Sequence, residues 1–213
     1  MNQRHHTIRS VGRLSFAVLA LSLVAVASAH AHHAMRGKTP STFVEGLLSG
    51  LGHPVIGIDH LAFIVAVGVA VGVAGLSLAI PAVFVGASAL GVAAHVSGVS
   101  VPGAELVVAT SVVLAGGLLA AGGTERLNLW GWIALFGIAG LFHGYAHGES
   151  IFGAEATPLS AYLLGLVIVQ TALATAVAWL VRQKGAAMLG ARLTGAVIAG
   201  IGLATLAGQI VPA

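Results

Sequence analysis

Beyond residue 42 the chain consists of long apolar segments separated by short breaks with glycine, proline or charged residues. We count six such segments, at about 54–75, 78–97, 104–122, 128–148, 157–181 and 190–210. Each approaches the roughly 20 apolar residues that an α-helix needs to cross the hydrocarbon core of a bilayer. The pattern therefore predicts an all-α membrane protein with six transmembrane helices, which form one domain over residues 30–213.

A shorter apolar stretch, from Phe43 to Leu51, precedes the first of these segments. It is too short to cross a bilayer. Pro54 suits the first turn of a new helix, where the missing N–H of proline costs nothing. We therefore predict a short or re-entrant helix before the first span, followed by a break at Gly52-His53-Pro54. Non-helical backbone at membrane depth is tolerated only where protein or water shelters it, so this break points to a site.

The amino-terminal segment has the pattern of a secretory signal peptide. A basic region precedes an apolar run from Leu14 to about Ala27, and small residues follow. This order of a basic region, an apolar core and small residues predicts cleavage, here after Ala29 or Ala31. Residues 1–29 would then be removed, which leaves the mature amino terminus on the periplasmic side of a bacterial inner membrane. An uncleaved anchor helix is the alternative.

Composition and charge support a membrane protein. The 213 residues are 58% hydrophobic and 7% charged, with a mean hydropathy of +1.02, whereas soluble domains are roughly a quarter charged. The net charge of +3 comes from scattered basic residues, so we expect no nucleic-acid partner. More of these residues fall in predicted inner loops than in outer segments, as the positive-inside rule requires: Arg126, Arg182, Lys184 and Arg192 against Arg36 and Lys38.

Cysteine is absent from the chain. This excludes disulfides and thiolate metal sites and leaves imidazole and carboxylate as the strong ligands. The first predicted span nevertheless holds His53, Asp59 and His60, and ionisable groups inside a membrane are costly and usually functional. With a helix from Pro54, both histidines would share one face. They suit Ni²⁺, Co²⁺, Cu²⁺ or Zn²⁺; Asp59 is either a ligand or the residue that orients a histidine, and a purely structural hydrogen-bond cluster is the alternative.

A second motif, Phe142-His143-Gly144-Tyr145-Ala146-His147-Gly148-Glu149, ends the fourth predicted span. His143 and His147 are four residues apart, so they share one helix face and can bind one ion. Glu149 lies just beyond the expected end of the helix at Gly148. Together the two motifs predict a metal route.

Four further residues are candidate ligands near the outer face. Glu105 begins the third span, where it is either a vestibule ligand or an ordinary acid near a helix start. His95 ends the second span and is either a ligand or a packing histidine. Cleavage after Ala29 would place His30 and His32 at a free amino terminus, a nitrogen donor set that suits Cu²⁺ and Ni²⁺. An incidental polar leader is the alternative.

HPVIGIDH followed by FHGYAHGE resembles the HupE/UreJ family of membrane proteins, which are associated with hydrogenase and urease maturation and regarded as nickel permeases. All fixed positions of the HPxxGxDH pattern are present. The resemblance implies that Glu105 is the acidic residue of the family at this point. Members often carry HGxE, whereas here Glu149 follows Gly148 directly and Ser150 takes the usual place, which leaves the role of Glu149 open. The residues that the resemblance places along the metal route are His53, Asp59, His60, His143 and His147.

We therefore expect a secondary permease or channel-like protein, not an enzyme, that imports a divalent transition metal for metalloenzymes such as hydrogenase or urease. Ni²⁺ is the first choice and Co²⁺, Cu²⁺ or Zn²⁺ are alternatives; the metal is substrate, and no cofactor is expected. The expected partners are the ion or a small metal chelate and the lipid bilayer, and a homo-oligomer is left open.

An intramembrane zinc hydrolase of the ceramidase-like type is the main alternative function. In that enzyme Asp59 would be the base, and His60, His143 and His147 would hold the zinc. A metal-sensing or structural membrane subunit is a third interpretation, for which a large soluble output region would be expected.

Overall fold

In the computed structural model, which describes residues 38–183 and 188–211, the chain folds into seven α-helices. Two 3₁₀ turns, Gly123–Arg126 and Glu149–Ile151, follow the fourth and fifth helices. The described residues contain no β-strand, so the predicted all-α class is confirmed. The predicted signal peptide, His30, His32 and Lys184 lie outside the described residues. The helices are α1 (Phe43–Ile56), α2 (Ile58–Val73), α3 (Pro81–Val96), α4 (Ala104–Ala120), α5 (Leu129–Gly148), α6 (Ala156–Gln183) and α7 (Met188–Ile210).

A capping box fixes the start of α1. The hydroxyl oxygen of Thr42 accepts the backbone N–H of Glu45 at 3.2 Å, and the Glu45 carboxylate accepts the N–H of Thr42 at 3.3 Å. This exchange satisfies two N–H groups that a helix start leaves unpaired. The apolar stretch from Phe43 is therefore a well-defined helix and not an extension of a loop.

The predicted break at Gly52-His53-Pro54 is wrong. Pro54 lies inside α1, which continues to Ile56. The chain bends by 78° between α1 and α2, and Gly57 is the residue at the bend. A Cβ at Gly57 would lie 2.7 Å from Cδ2 of the His60 ring, so any larger residue there would force the ring to move. The expectation that His53 and His60 share one helix face is also wrong, because they belong to different helices.

The bent pair packs along one side of the unbroken helix α6. A Cβ at Gly50 in α1 would overlap the backbone of Tyr162, and a Cβ at Gly68 in α2 would lie 2.7 Å from the carbonyl oxygen of Ala174. Contacts advance in the same direction along both partners, so α1 and α2 run parallel to α6. Small residues let helix backbones approach this closely, as is common in membranes.

Two other helix pairs are held by the same kind of contact. Gly140 and Gly144 of α5 approach the backbones of Phe84 and Ser88 in α3, so these two helices are parallel. In contrast, α4 and α7 are antiparallel: Gly116 faces Ala199, whereas a Cβ at Gly202 would lie 2.7 Å from the N atom of Val113. The apolar core between these pairs includes Phe63, Val67, Val112, Trp132 and Phe136.

Helix length supports fewer spans than the hydrophobic pattern predicts. Among the described residues, three helices are long and apolar enough to cross a bilayer: Leu129–Ile151, Ala156–Gln183 and Leu189–Ile210. The bent pair α1–α2 passes the same test as one broken span or re-entrant loop, which raises the number to four. α3 and α4 are shorter apolar helices of 16 and 17 residues. Six spans stay a prediction.

We predict that Gly116→Ala destabilises the protein, because the added methyl group would collide with the backbone at Ala199. Overpacking of this kind costs about 1–3 kcal/mol. Gly117→Ala is the matched control: no atom lies within 4 Å of the position of a Cβ at Gly117, and alanine favours a helix over glycine by up to about 1 kcal/mol. Thermal unfolding in detergent should show a lower Tm for Gly116→Ala alone. Equal melting of the two variants would contradict this packing.

Candidate metal site

Four imidazoles from the two predicted motifs meet inside the helix bundle. His53 lies in the last turn of α1, His60 in the first turn of α2, and His143 and His147 in the last two turns of α5. Their exposed fractions are 6%, 5%, 0% and 0%. We call these four residues the histidine cluster. The two motifs, which are about 80 residues apart in sequence, therefore form one buried group.

The rings of the histidine cluster follow one another in series. Ring centroids are 5.0 Å apart between His53 and His147, 4.1 Å between His147 and His60, and 5.0 Å between His60 and His143. His53 and His60 are farther apart, at 6.4 Å. The bend at Gly57 makes this order possible, since it turns the start of α2 towards α5. The result is a row of nitrogen donors and not a closed ring.

One end of this row is joined to α4 by hydrogen bonds. Nδ1 of His60 and Nδ1 of His143 are 2.9 Å apart, and Nε2 of His143 lies 3.0 Å from the hydroxyl oxygen of Ser111. Ser111 also donates to the carbonyl oxygen of Val108 at 2.7 Å. Four polar groups on three helices are thus linked in one chain.

Asp59 supplies a buried carboxylate directly beside the histidine cluster. Its exposed fraction is 5%, and its Oδ1 accepts the backbone N–H of His60 at 2.9 Å. The carboxylate therefore fixes the first turn of α2 at the residue that carries an inner imidazole of the row. It also places an acidic side chain beside the imidazoles in the apolar interior.

The backbone at His147, the ring next to His53 in the row, is held by a tyrosine and a serine. The hydroxyl of Tyr162 donates to the carbonyl oxygen of His147 at 2.9 Å, and the hydroxyl of Ser150 reaches the same oxygen at 2.9 Å. The same carbonyl oxygen also accepts a backbone N–H at the end of α5, so three donors hold this turn. Both ring nitrogens of His147 are buried without a hydrogen-bond partner among the described residues. Buried polar atoms without a partner are costly, and they are suited to binding a ligand.

Two phenylalanines close the histidine cluster towards the middle of the bundle. The ring centroids of Phe63 and Phe84 lie 4.6 and 5.8 Å from that of His143 and 5.3 Å from each other. Their exposed fractions are 0% and 1%. His143 is therefore enclosed by aromatic rings on this side.

The donors are not arranged as a finished coordination sphere. Within residues 38–183 and 188–211, no three histidine, aspartate or glutamate side chains are placed so that all could bind a single ion. The imidazoles instead face one another in pairs. An ion could be bound by two neighbouring rings at a time, and a third ligand would require a ring to rotate.

The remaining candidate ligands lie outside the histidine cluster. Glu149 is exposed in the turn after α5, and Glu105 is half-buried in the first turn of α4. His95 is half-buried, and its ring packs against Tyr145 and Phe152, with centroids 4.6 and 5.7 Å away. No ligand role is demonstrated for these residues, and each stays a prediction. His30 and His32 lie outside the described residues.

Several polar residues near the site are not singled out by the motifs. Ser111, Tyr162 and Gln170 are all buried, and Nε2 of Gln170 donates to the hydroxyl of Ser88 at 3.2 Å. A polar side chain in the middle of an apolar helix is the only signal that could have identified them in the sequence. Their partners lie on other helices, so only the fold reveals what they contact.

Comparisons with known proteins agree with the motifs. A family model described as HupE / UreJ protein matches residues 18–205. The chain is also 30% identical to "Protein HupE" of Rhizobium leguminosarum bv. viciae over 199 residues, which cover 92% of this chain and 98% of that protein. No solved structure matches the chain significantly. Because the family match spans most of the chain and both histidine motifs, the chain belongs to the HupE/UreJ family.

Proposed function

We propose that this protein is a permease that imports a divalent transition metal, Ni²⁺ in the first place, across the bacterial inner membrane. The observation that carries the proposal is the convergence of four buried imidazoles from α1, α2 and α5 in the interior of an apolar helical bundle. Intramembrane ionisable residues are expensive and usually mark an ion path. Family membership supports the choice of metal, since HupE/UreJ proteins are associated with nickel or cobalt transport for hydrogenase and urease.

The serial order of the rings supports conduction. A transported ion must be bound well enough to enter and weakly enough to leave, which favours several partial sites over one complete site. The distances of 4.1–5.0 Å between successive ring centroids would let an ion exchange one imidazole for the next. Nitrogen donors without thiolates suit Ni²⁺ and Co²⁺.

We place the outer access to this row at its terminal ring, His53, whose exposed fraction is 6%. Glu149, two residues after His147 in the chain, is exposed and would attract cations at the end of α5. The closed side lies at Phe63 and Phe84, where two aromatic rings form the kind of apolar constriction that can gate a path. Beyond them a conformational change would be needed to release the ion inward.

We also propose that the described helices cross the membrane six times, with α1 and α2 as one broken first span. The helix directions support this arrangement. α1–α2 runs parallel to α6, α3 runs parallel to α5, and α4 runs antiparallel to α7. These relations are the ones that six alternating spans would have. The mature amino terminus would then lie on the periplasmic side.

The zinc hydrolase receives less support. A catalytic zinc site needs three protein ligands around one ion and an open position for water. No three candidate side chains among the described residues are arranged in that way. Membership of the HupE/UreJ family also favours transport over catalysis.

We predict that His60→Ala abolishes nickel uptake, because His60 is an inner ring of the row and contacts both His143 and His147. Accumulation of ⁶³Ni²⁺ in expressing cells should fall by about tenfold or more, the size of loss expected when a metal site is disrupted. Ile58→Ala is the matched control, since Ile58 is in the same turn of α2 but 40% exposed. Uptake by His60→Ala that equals the wild type, at equal amounts of protein in the membrane, would refute the proposed route.

We predict that Asp59→Asn raises the KM for nickel while the protein stays folded. Asparagine keeps an oxygen that can accept the His60 N–H, as Oδ1 of Asp59 does at 2.9 Å, but it removes the charge that offsets a divalent ion in a medium of low dielectric constant. We expect a rise in KM of about tenfold or more. Uptake measured over a range of nickel concentrations gives the KM, and the Tm in detergent shows whether the variant stays folded. An unchanged KM would show that the carboxylate serves only the hydrogen bond.

A further inference from the structure

We propose that Ser111 sets the tautomers of His143 and His60 and thereby leaves the lone pair of His60 Nε2 for the metal ion. Ser111 is a positioning residue in this account, since it acts through two imidazoles. The inference rests on the proposed function, because it names the atom of His60 that the transported ion meets. It follows from the direction of three hydrogen bonds.

The hydroxyl of Ser111 determines the direction of its hydrogen bond with His143. This group has one proton, and that proton is directed at the carbonyl oxygen of Val108, 2.7 Å away, which can only accept. Towards Nε2 of His143, 3.0 Å away, the Ser111 oxygen must therefore act as the acceptor. It follows that Nε2 of His143 carries the hydrogen.

The contact between the two imidazoles then determines the tautomer of His60. A neutral imidazole has one N–H donor and one acceptor nitrogen, and a buried site disfavours the charged form. With its hydrogen on Nε2, His143 presents a lone pair at Nδ1. Nδ1 of His60, 2.9 Å away, must then donate its hydrogen. The remaining nitrogen of His60, Nε2, is left as the acceptor.

If the hydrogen bond between Ser111 and His143 ran in the opposite direction, His60 could not bind the metal through Nε2. If Ser111 donated to His143, the hydrogen of His143 would lie on Nδ1, Nδ1 of His60 would accept it, and Nε2 of His60 would carry a hydrogen. A protonated nitrogen cannot bind a metal. The bond from Ser111 to Val108 thus selects the arrangement in which His60 can act as a ligand.

The surroundings of His60 agree with this assignment. His143 is fully buried and shielded by Phe63 and Phe84, whereas the exposed fraction of His60 is 5%. Its ring lies 4.1 Å from that of His147, whose two nitrogens have no hydrogen-bond partner among the described residues. His60 and His147 are therefore neighbouring rings in which nitrogens remain outside the hydrogen-bond chain.

The direct test is ¹⁵N NMR of histidine-labelled, metal-free protein in detergent micelles, with single His→Gln variants for assignment. Nitrogen shifts distinguish a protonated ring nitrogen from an unprotonated one. We expect the hydrogen on Nε2 in His143 and on Nδ1 in His60. Hydrogens on the opposite nitrogens would overturn the proposal, and this result does not depend on whether any Ser111 variant folds.

Transport kinetics supply the second test. Ser111→Ala should raise the KM for ⁶³Ni²⁺ about tenfold or more, as loss of a residue that orients a metal ligand does, with little change in maximal rate per folded protein. Ser111→Thr keeps the hydroxyl and should restore the KM. Thr110→Ala is the matched control, because Thr110 precedes Ser111 on α4 but is exposed.

The outcomes separate the inference from the function. Nickel uptake that requires His60 but is unaffected by Ser111→Ala would overturn the role of Ser111 and leave the permease in place. The expected tautomers in a protein that shows no nickel uptake would overturn the permease and leave the hydrogen-bond assignment intact.

Discussion

At Gly57 the chain turns by 78°, and the position of His60 relative to the other three histidines of the cluster depends on that turn. A straight helix through this region would carry His60 away from α5. The bend instead turns the first residues of α2 towards His143 and His147, and the missing Cβ of Gly57 lets the His60 ring lie against the backbone. α6 stabilises both halves of the bend, because glycines of α1 and α2 pack along one continuous helix.

The bend places strongly polar groups in an apolar interior. Burying such groups costs free energy unless they are hydrogen-bonded, and the surrounding contacts reduce this cost. His143 is hydrogen-bonded to His60 and Ser111, and the Asp59 carboxylate accepts the backbone N–H of His60. Tyr162 and Ser150 bind the last turn of α5. The ring of His147 receives no such bond from the described residues. Most of the polar network around the histidine cluster is thus satisfied within the fold, and the two ring nitrogens of His147 are left for the ion that we propose binds there.

Much of this could be predicted from the sequence, because apolar segments and intramembrane histidines are local signals. The helices and the candidate histidines of both motifs followed from them, whereas the convergence of the two motifs in one buried cluster did not. The position of the bend did not: Pro54 is a strong local signal for a helix start, but packing of α1 against α6 outweighs it and the break falls at Gly57. The contact of Ser111 could not be predicted from the sequence either, since its partner His143 lies on another helix. Helix lengths in α3 and α4 depend on turns that hydrophobicity does not mark.

The central claim, that the clustered imidazoles bind the transported ion, is tested most directly by X-ray absorption at the nickel K edge. Purified wild-type protein in detergent would be loaded with one equivalent of Ni²⁺ and washed free of unbound metal. The account predicts at least two imidazole ligands with nitrogen at about 2.1 Å, and fewer in a protein with His60→Gln and His147→Gln. A spectrum with only water or carboxylate oxygen around the metal, unchanged by these substitutions, would contradict it.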